Sequence, residues 1–327
     1  MVRHDSGPQQ TAFFSAQSLF LAVCFFLPVA LPALIGWLNG LLAVPVFLLF
    51  RTAGDEQKAA RQIRNGLLAA AGGALLLQRF PFFVFSLTML PLGYSLHRST
   101  AQRQMPSEAG AAGCAVLTGT WLVFWSIYGI IAGMNPYTGL LAAMDGFLEQ
   151  IILVYRERAE LPADLLYNFE QIIRAMRELL PKVLPGLLGG TVLLTVFLNM
   201  LICGGLLRRL APEKVCWPPY RSWRLPDKAI WLLIFAFALA LLGPGRLREA
   251  GYCLVIIAVL LYFFQGAAVF VHLLHRWNIP RFFRFLLYGI VALQSYGMLL
   301  LAVAGVADVW ADFRKLDRET QEEDHSD

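Results

Sequence analysis

The sequence predicts an all-α, polytopic integral membrane protein with eight or nine transmembrane helices. Of its 327 residues, 58% are hydrophobic and only 15% are charged, whereas a soluble protein usually carries about 25% charged residues. The mean hydropathy is +0.60, and many apolar residues fall in runs of about 20, the length that crosses a bilayer as a helix. Most of the protein surface is therefore expected to contact the lipid bilayer.

The chain from 13 to 207 is predicted to form a six-helix membrane unit, preceded by a cytoplasmic N-terminus at 1–12. The first apolar run is too long for one span and is broken by Pro28, Pro32 and Gly36. Because proline and glycine interrupt helices, this run is interpreted as two spans.

Three further apolar stretches complete this unit. Residues 66–96 contain two short apolar segments, which either span twice or re-enter on the same side. Residues 111–133 and 183–207 are each long enough for one span. The loops on either side of 66–96 are rich in Arg and Lys, and such loops stay in the cytoplasm.

Residues 138–182 differ from the neighbouring runs because their apolar residues recur at helical spacing. On the first helix of this pair, Leu148 and Ile152 share a face that excludes Glu149 and Arg156. A second helix is predicted to begin at Pro162. The topology places this amphipathic pair outside the membrane. It is interpreted as a helical cap, with a lid over an outward-facing cavity and an interfacial anchor as alternatives.

The C-terminal part begins with the most basic loop of the chain, 208–228, which is placed in the cytoplasm. A three-helix membrane unit at 229–309 follows. The tail, 310–327, ends in acidic residues and is expected to be disordered. Nine spans would place the tail outside, whereas eight spans would leave it in the cytoplasm. The basic residues of the tail next to the membrane favour the cytoplasmic side.

The sequence contains none of the motifs that would indicate an enzyme. It lacks GxxxxGK[ST], HExxH and GxSxG motifs, so no catalysis and no cofactor are expected. The five cysteines are scattered without a CxxC pair, which indicates neither a disulfide framework nor a zinc site. The excess of basic residues lies in loops between spans, and no basic stripe with interleaved aromatics indicates nucleic-acid binding.

A few polar side chains within the predicted spans form the candidate intramembrane polar site. Lipid offers a buried amide no hydrogen-bond partner, so each must find one in the protein. One hypothesis is that these groups tie helices together. The other is that they line a pocket for a small neutral or aromatic solute. The candidate residues are Asn199, Gln265, His272, Gln294, Ser295 and Tyr296.

His272 also lies three residues before His275, a spacing that could share a metal ion. Both precede Arg276 at the end of an apolar run, where polar side chains extend toward the membrane surface. No metal site is therefore predicted.

Short motifs in the second half resemble the YybS-like family of predicted bacterial inner-membrane proteins, a family with no assigned function. They are Arg224-Leu225-Pro226, Leu180-Pro181 with Pro185, Leu206-Leu207-Arg208-Arg209, the run Leu261-Tyr262-Phe263-Phe264-Gln265-Gly266, and the run from Gly305 to Lys315. The resemblance implies a multi-pass protein of the bacterial inner membrane.

More distantly, residues 13–207 are similar to the substrate-binding membrane subunits of energy-coupling-factor vitamin transporters. That resemblance implies a coupling subunit as partner, docked on small residues such as Ala12, Ser15 and Ala16 of the first helix. The three C-terminal spans depart from that pattern.

Two functions are therefore expected. The first is a non-enzymatic component that binds or helps to move a small solute, with energy supplied by a partner protein. The alternative is a structural or assembly protein that recruits a partner through the helical pair 138–182 or the basic loop 208–228.

Overall fold

The computed structural model describes residues 15–157, 163–311, 313 and 314. Within these ranges every regular element is an α-helix or a short 3₁₀ turn, and no strand occurs. The all-helical fold class is thus confirmed. The predicted cytoplasmic segment 1–12, the expected helix start at Pro162 and most of the tail lie outside the described residues.

The chain divides into two compact units, each with its own internal packing. Unit 1 comprises residues up to 104, together with 115–120 and 198–216. In it, α1 packs on α4 and α3 packs on α6. The helices that lie wholly within unit 1 are α1 (Ala16–Ala30), α2 (Pro32–Ile35), α3 (Ala43–Thr52), α4 (Glu56–Leu76), α5 (Phe80–Ser86) and α6 (Leu90–Ala101).

Two helices, α7 (Pro106–Ala132) and α9 (Ala163–Leu210), contribute residues to both units. Unit 2 consists of the remaining residues, and its core is the packing of α11 against α10 and α13. The helices that lie wholly within unit 2 are α8 (Pro136–Glu157), α10 (Ala229–Leu242), α11 (Arg246–Arg276), α12 (Arg281–Leu293) and α13 (Ser295–Ala311).

Several helix ends carry the local signals that fix them. The Ser15 hydroxyl and the Asp55 carboxylate accept hydrogen bonds from backbone N–H groups of the first turns of α1 and α4, which satisfies donors that would otherwise be unpaired. Pro106 occupies the first position of α7, and Gly133 ends that helix in the left-handed conformation at φ 64°. A side chain would be strained at that φ, so glycine is the suitable residue.

Among the described residues, five helices are long and apolar enough to cross a membrane, and up to seven spans result if each of two sharply bent helix pairs is also counted. The count of eight or nine is not confirmed: α3 and α10 form only short apolar helices, and α4 is not among the candidate spans. Residues 80–101 do form one candidate span. The helix α8, which the sequence analysis places outside the membrane, also passes the test of length and hydropathy.

The second amphipathic helix and the following span were expected to be separate, but the structure joins them as α9, a single helix of 48 residues. Pro181 and Pro185 lie inside it without ending it. Pro185 has no N–H to donate to the carbonyl four residues earlier. That carbonyl, of Pro181, instead accepts a hydrogen bond from the Tyr137 hydroxyl at 3.2 Å. A side chain of α8 thus replaces the missing helical bond.

Candidate functional site

Gln265 lies in the middle of α11 and is 3% exposed. Its amide oxygen accepts a hydrogen bond from the backbone N–H of Leu225 at 3.1 Å. Its amide nitrogen donates to the Asp308 carboxylate on α13 at 3.2 Å. Both ends of the amide are therefore engaged by neighbouring elements, the arrangement that an interhelical tie requires.

Asp308 and Arg314 form a fully buried ion pair beside Gln265. The Arg314 guanidinium donates twice to one oxygen of Asp308, at 2.7 and 3.2 Å, and the two side chains are 0% and 2% exposed. Another guanidinium nitrogen donates to the carbonyls of Arg221 and Trp223, at 3.1 and 2.7 Å. Arg314 therefore fixes the segment after α13 to the basic loop that precedes α10.

The partner of Gln265 was not foreseen from the sequence, because Asp308 lies near the end of an apolar run next to the tail. Arg314 falls in the segment for which disorder was expected, yet it is buried in unit 2. The sequence feature that could have indicated this contact is the spacing of Asp308 and Arg314. A lone acid near a span end and a basic residue six positions later can neutralise each other when both are buried.

Aromatic side chains order the same basic loop. The Tyr220 hydroxyl donates to the carbonyl of Phe264 at 2.6 Å, and the Tyr220 ring lies edge-on to Trp223 with centroids 5.5 Å apart. Phe197 stacks on Phe264 at 3.9 Å. Burial raises the pKa of Tyr220 above its usual value, although the positive charge of Arg314 acts in the opposite direction. Tyr220 thus stays protonated and remains a donor at neutral pH.

Close contact between α11 and α13 depends on two glycines. A Cβ on Gly266 would collide with the carbonyl of Leu301, and one on Gly305 would collide with the carbonyl of Tyr262. The absence of both side chains allows the backbones to touch, as small residues do at membrane helix crossings. Gln265 and Asp308 flank this crossing, which brings their side chains within hydrogen-bond distance.

The remaining residues of the predicted polar site occupy different surroundings. Asn199 belongs to unit 1, is fully buried and donates to the carbonyl of Gly40 at 2.6 Å. His272 is half-buried on α11. Gln294 is exposed between α12 and α13, and Tyr296 is 77% exposed. The side chain of Ser295 lies outside the described residues.

Unit 1 contains a cleft that the sequence analysis missed. Its volume is about 550 Å³, within the range of about 300–1,000 Å³ typical of small-molecule pockets. Residues of α3, α4, α5 and α6 form its walls, and nearly all of the lining atoms are apolar. Ile63, Leu67 and Ala71 line one side on α4, while Phe83 and Tyr94 line the other. We call this feature the unit 1 cleft.

Polar and aromatic groups cluster near the start of α4, at one end of the cleft. His97 is paired with Glu56 at 3.2 Å, and its ring stacks on that of Phe50 with centroids 5.1 Å apart. Phe50 also meets the Tyr94 ring edge-on at 5.5 Å. Arg64 lines the cleft two turns along α4 from Glu56 and is exposed. The cleft therefore combines an apolar interior with one cationic side chain.

The helices α8 and α9 form a hairpin joined by ion pairs. Arg156 contacts Glu170 at 2.7 Å, and Arg177 contacts Asp145 at 2.8 Å. A smaller cleft of about 260 Å³ lies between the two helices beside Arg177. The helical pair predicted for 138–182 is thus present, although its second helix continues into the following span.

No group of three or more His, Cys, Asp or Glu side chains in the described ranges could hold a metal ion. His275, the second histidine of the pair considered above, contacts the carbonyl of Val271 through its ring nitrogen at 2.8 Å.

The family model described as "Predicted membrane protein (DUF2232)" matches residues 19–309. The chain belongs to this family. The match covers both units and the residues of the Gln265 network up to Asp308, so the membrane assignment applies to nearly the whole chain. No curated protein and no solved structure matches the chain.

Proposed function

We propose that this DUF2232 protein is a non-catalytic membrane component that binds a small, mainly apolar molecule in the unit 1 cleft. The cleft itself carries the proposal, because its size and apolar lining are those of small-molecule sites. The residues 80–101 that form one wall are also a candidate membrane span. A ligand could therefore enter from the bilayer, as part of binding or of transport with a partner supplying energy.

The polar network of unit 2 is assigned a different role. Gln265, Asp308 and Arg314 use their donors and acceptors mainly on one another and on the backbone of the basic loop. We therefore move the proposed solute site from the intramembrane amides to unit 1 and assign the amides to holding helices together.

Photolabelling in lipid nanodiscs tests this function. The probe is a hexadecanol that carries a diazirine in its chain, and labelled peptides are identified by mass spectrometry. We expect adducts on the segments 60–71 and 83–94. The variant Ala71→Phe, which places a ring inside the cleft, should lower this labelling at least fivefold, roughly the effect of losing 1 kcal/mol of binding.

Leu76→Phe is the matched control, since Leu76 lies on the same helix, is 87% exposed and does not line the cleft. This variant should label like the wild type. Equal labelling of wild type and Ala71→Phe would contradict the proposed site.

The α8–α9 hairpin supports a second function, recruitment of a partner protein. A helix of 48 residues is about 72 Å long, whereas the hydrocarbon core is about 30 Å thick, so part of α9 must extend beyond it. Phe147 and Tyr167 on the hairpin are 63% and 64% exposed. If the hairpin recruits a partner, the protein isolated from membranes should have the mass of a complex with that partner. Changing both residues to Ser should reduce this mass to that of the single chain. An unchanged mass would exclude this surface.

A further inference from the structure

We propose that the ligand of the unit 1 cleft is a single-chain amphiphile with an anionic head group, and that Arg64 binds the head. This inference rests on the proposed function and adds the chemical class of the ligand. It follows from the arrangement of charges along α4.

Apolar side chains of α4 line the cleft on both sides of Arg64, with Ala60 and Ile63 before it. Beyond Arg64, the lining residues of this helix are Leu67, Leu68 and Ala71. Phe83 and Leu87 line the opposite wall. A hydrocarbon chain fits this lining, because a polar ligand would leave its hydrogen-bonding groups unpaired there.

Arg64 has an uncommitted charge. It is exposed, and the structure gives its guanidinium no hydrogen bond or ion pair with any described residue. Lys58 and Arg61 precede it on the same helix and are also exposed. A guanidinium forms paired hydrogen bonds with carboxylate or phosphate oxygens, so it suits an anionic head group.

The nearby carboxylates are already engaged. Glu56 contacts His97 at 3.2 Å, and Asp55 accepts a hydrogen bond from the backbone N–H of Gln57 at 3.1 Å. Charges at this end of the cleft therefore favour an anion over a neutral or cationic group.

Three diazirine probes with the same sixteen-carbon chain test the proposal in nanodiscs of phosphatidylcholine. Their heads are a phosphate monoester, a hydroxyl and a trimethylammonium group. We expect the phosphate probe to label segments 60–71 and 83–94 about three- to tenfold more than the hydroxyl probe, as one partly exposed charge pair allows. The trimethylammonium probe should label least.

Arg64→Gln should remove the preference for the phosphate probe. Labelling by the hydroxyl probe should persist in this variant, because the cleft is still formed. Arg61→Gln is the matched control, because the Arg61 side chain donates to the carbonyl of Gln57 and does not line the cleft. This control should keep the preference. Excess inorganic phosphate should not displace the phosphate probe, because the chain supplies much of the binding.

Equal labelling by all three probes, or a phosphate preference that survives in Arg64→Gln, would overturn the anionic-head proposal and leave the cleft as a site for neutral chains. Displacement of the phosphate probe by inorganic phosphate would show that the cleft binds a free anion and not an amphiphile. Labelling that is insensitive to Ala71→Phe for every probe would instead refute the proposed function itself.

Discussion

Arg314→Met removes the cation of the buried ion pair in unit 2 and leaves an unbranched apolar side chain in its place. In the wild type, this guanidinium donates twice to Asp308 and also to the carbonyls of Arg221 and Trp223. The variant retains the carboxylate in a position that is 2% exposed. Among the described residues, Gln265 is then the one side chain that still donates to its bonded oxygen.

Removing one partner of a buried pair usually lowers the free energy of unfolding by about 3–5 kcal/mol, because the remaining charge is uncompensated. The two loop carbonyls lose their donor as well, so we expect Arg314→Met to reach the upper part of this range. The control is an exposed ion pair of the same unit, since Arg224 near this network is itself only 22% exposed. In place of Arg224, Arg174→Met serves as this control, because Arg174 is 65% exposed and contacts Glu170 of the same helix at 3.7 Å. Its loss should change stability by about 0–1 kcal/mol.

Denaturation of the purified protein in mixed detergent micelles measures these changes. The double variant Asp308→Leu with Arg314→Met removes both charges and should be at least about 2 kcal/mol more stable than the sum of the single changes predicts, as expected for coupled residues. A loss below about 1 kcal/mol in Arg314→Met, or strictly additive changes, would refute the reasoning that the pair is buried and coupled.

Two further outcomes follow from unit 2. Gly266→Val should destabilise the α11–α13 contact by several kcal/mol, because its side chain would collide with the carbonyl of Leu301. Gly289→Val is the control, because a Cβ there meets nothing within 4 Å. Equal melting temperatures of the two variants would contradict the close crossing of α11 and α13. Wild-type stability should fall as pH rises above 10.0, the ordinary pKa of tyrosine, because the unfolded Tyr220 then ionises while the buried one stays protonated. In Tyr220→Phe this part of the pH dependence should disappear, and an unchanged profile would refute it.

Composition and apolar run length were sufficient to predict the helical membrane fold, because lipid leaves the backbone few alternatives to a helix. They were insufficient for the helix boundaries. Pro181 and Pro185 indicated a helix boundary, but a partner on another helix, Tyr137, supplies the bond that Pro185 cannot make. Sequence spacing alone does not reveal such a contact.

The polar network was predictable in part. Gln265 was identified because an amide in an apolar run needs a partner, whereas its partner Asp308 was not, since it lies at the edge of a span. Contacts between distant segments decide that pairing. The unit 1 cleft could not be predicted from the sequence, because residues such as Ile63 and Leu67 show the same helical spacing whether they line a cleft or fill a core.

The position of photolabelling by a sixteen-carbon diazirine probe in wild-type nanodiscs tests the account most directly. If the unit 1 cleft binds the chain, adducts should concentrate on segments 60–71 and 83–94 and decrease in Ala71→Phe but not in Leu76→Phe. Adducts spread evenly over the exposed apolar helices, with the same yield in both variants, would show general lipid contact and contradict the account.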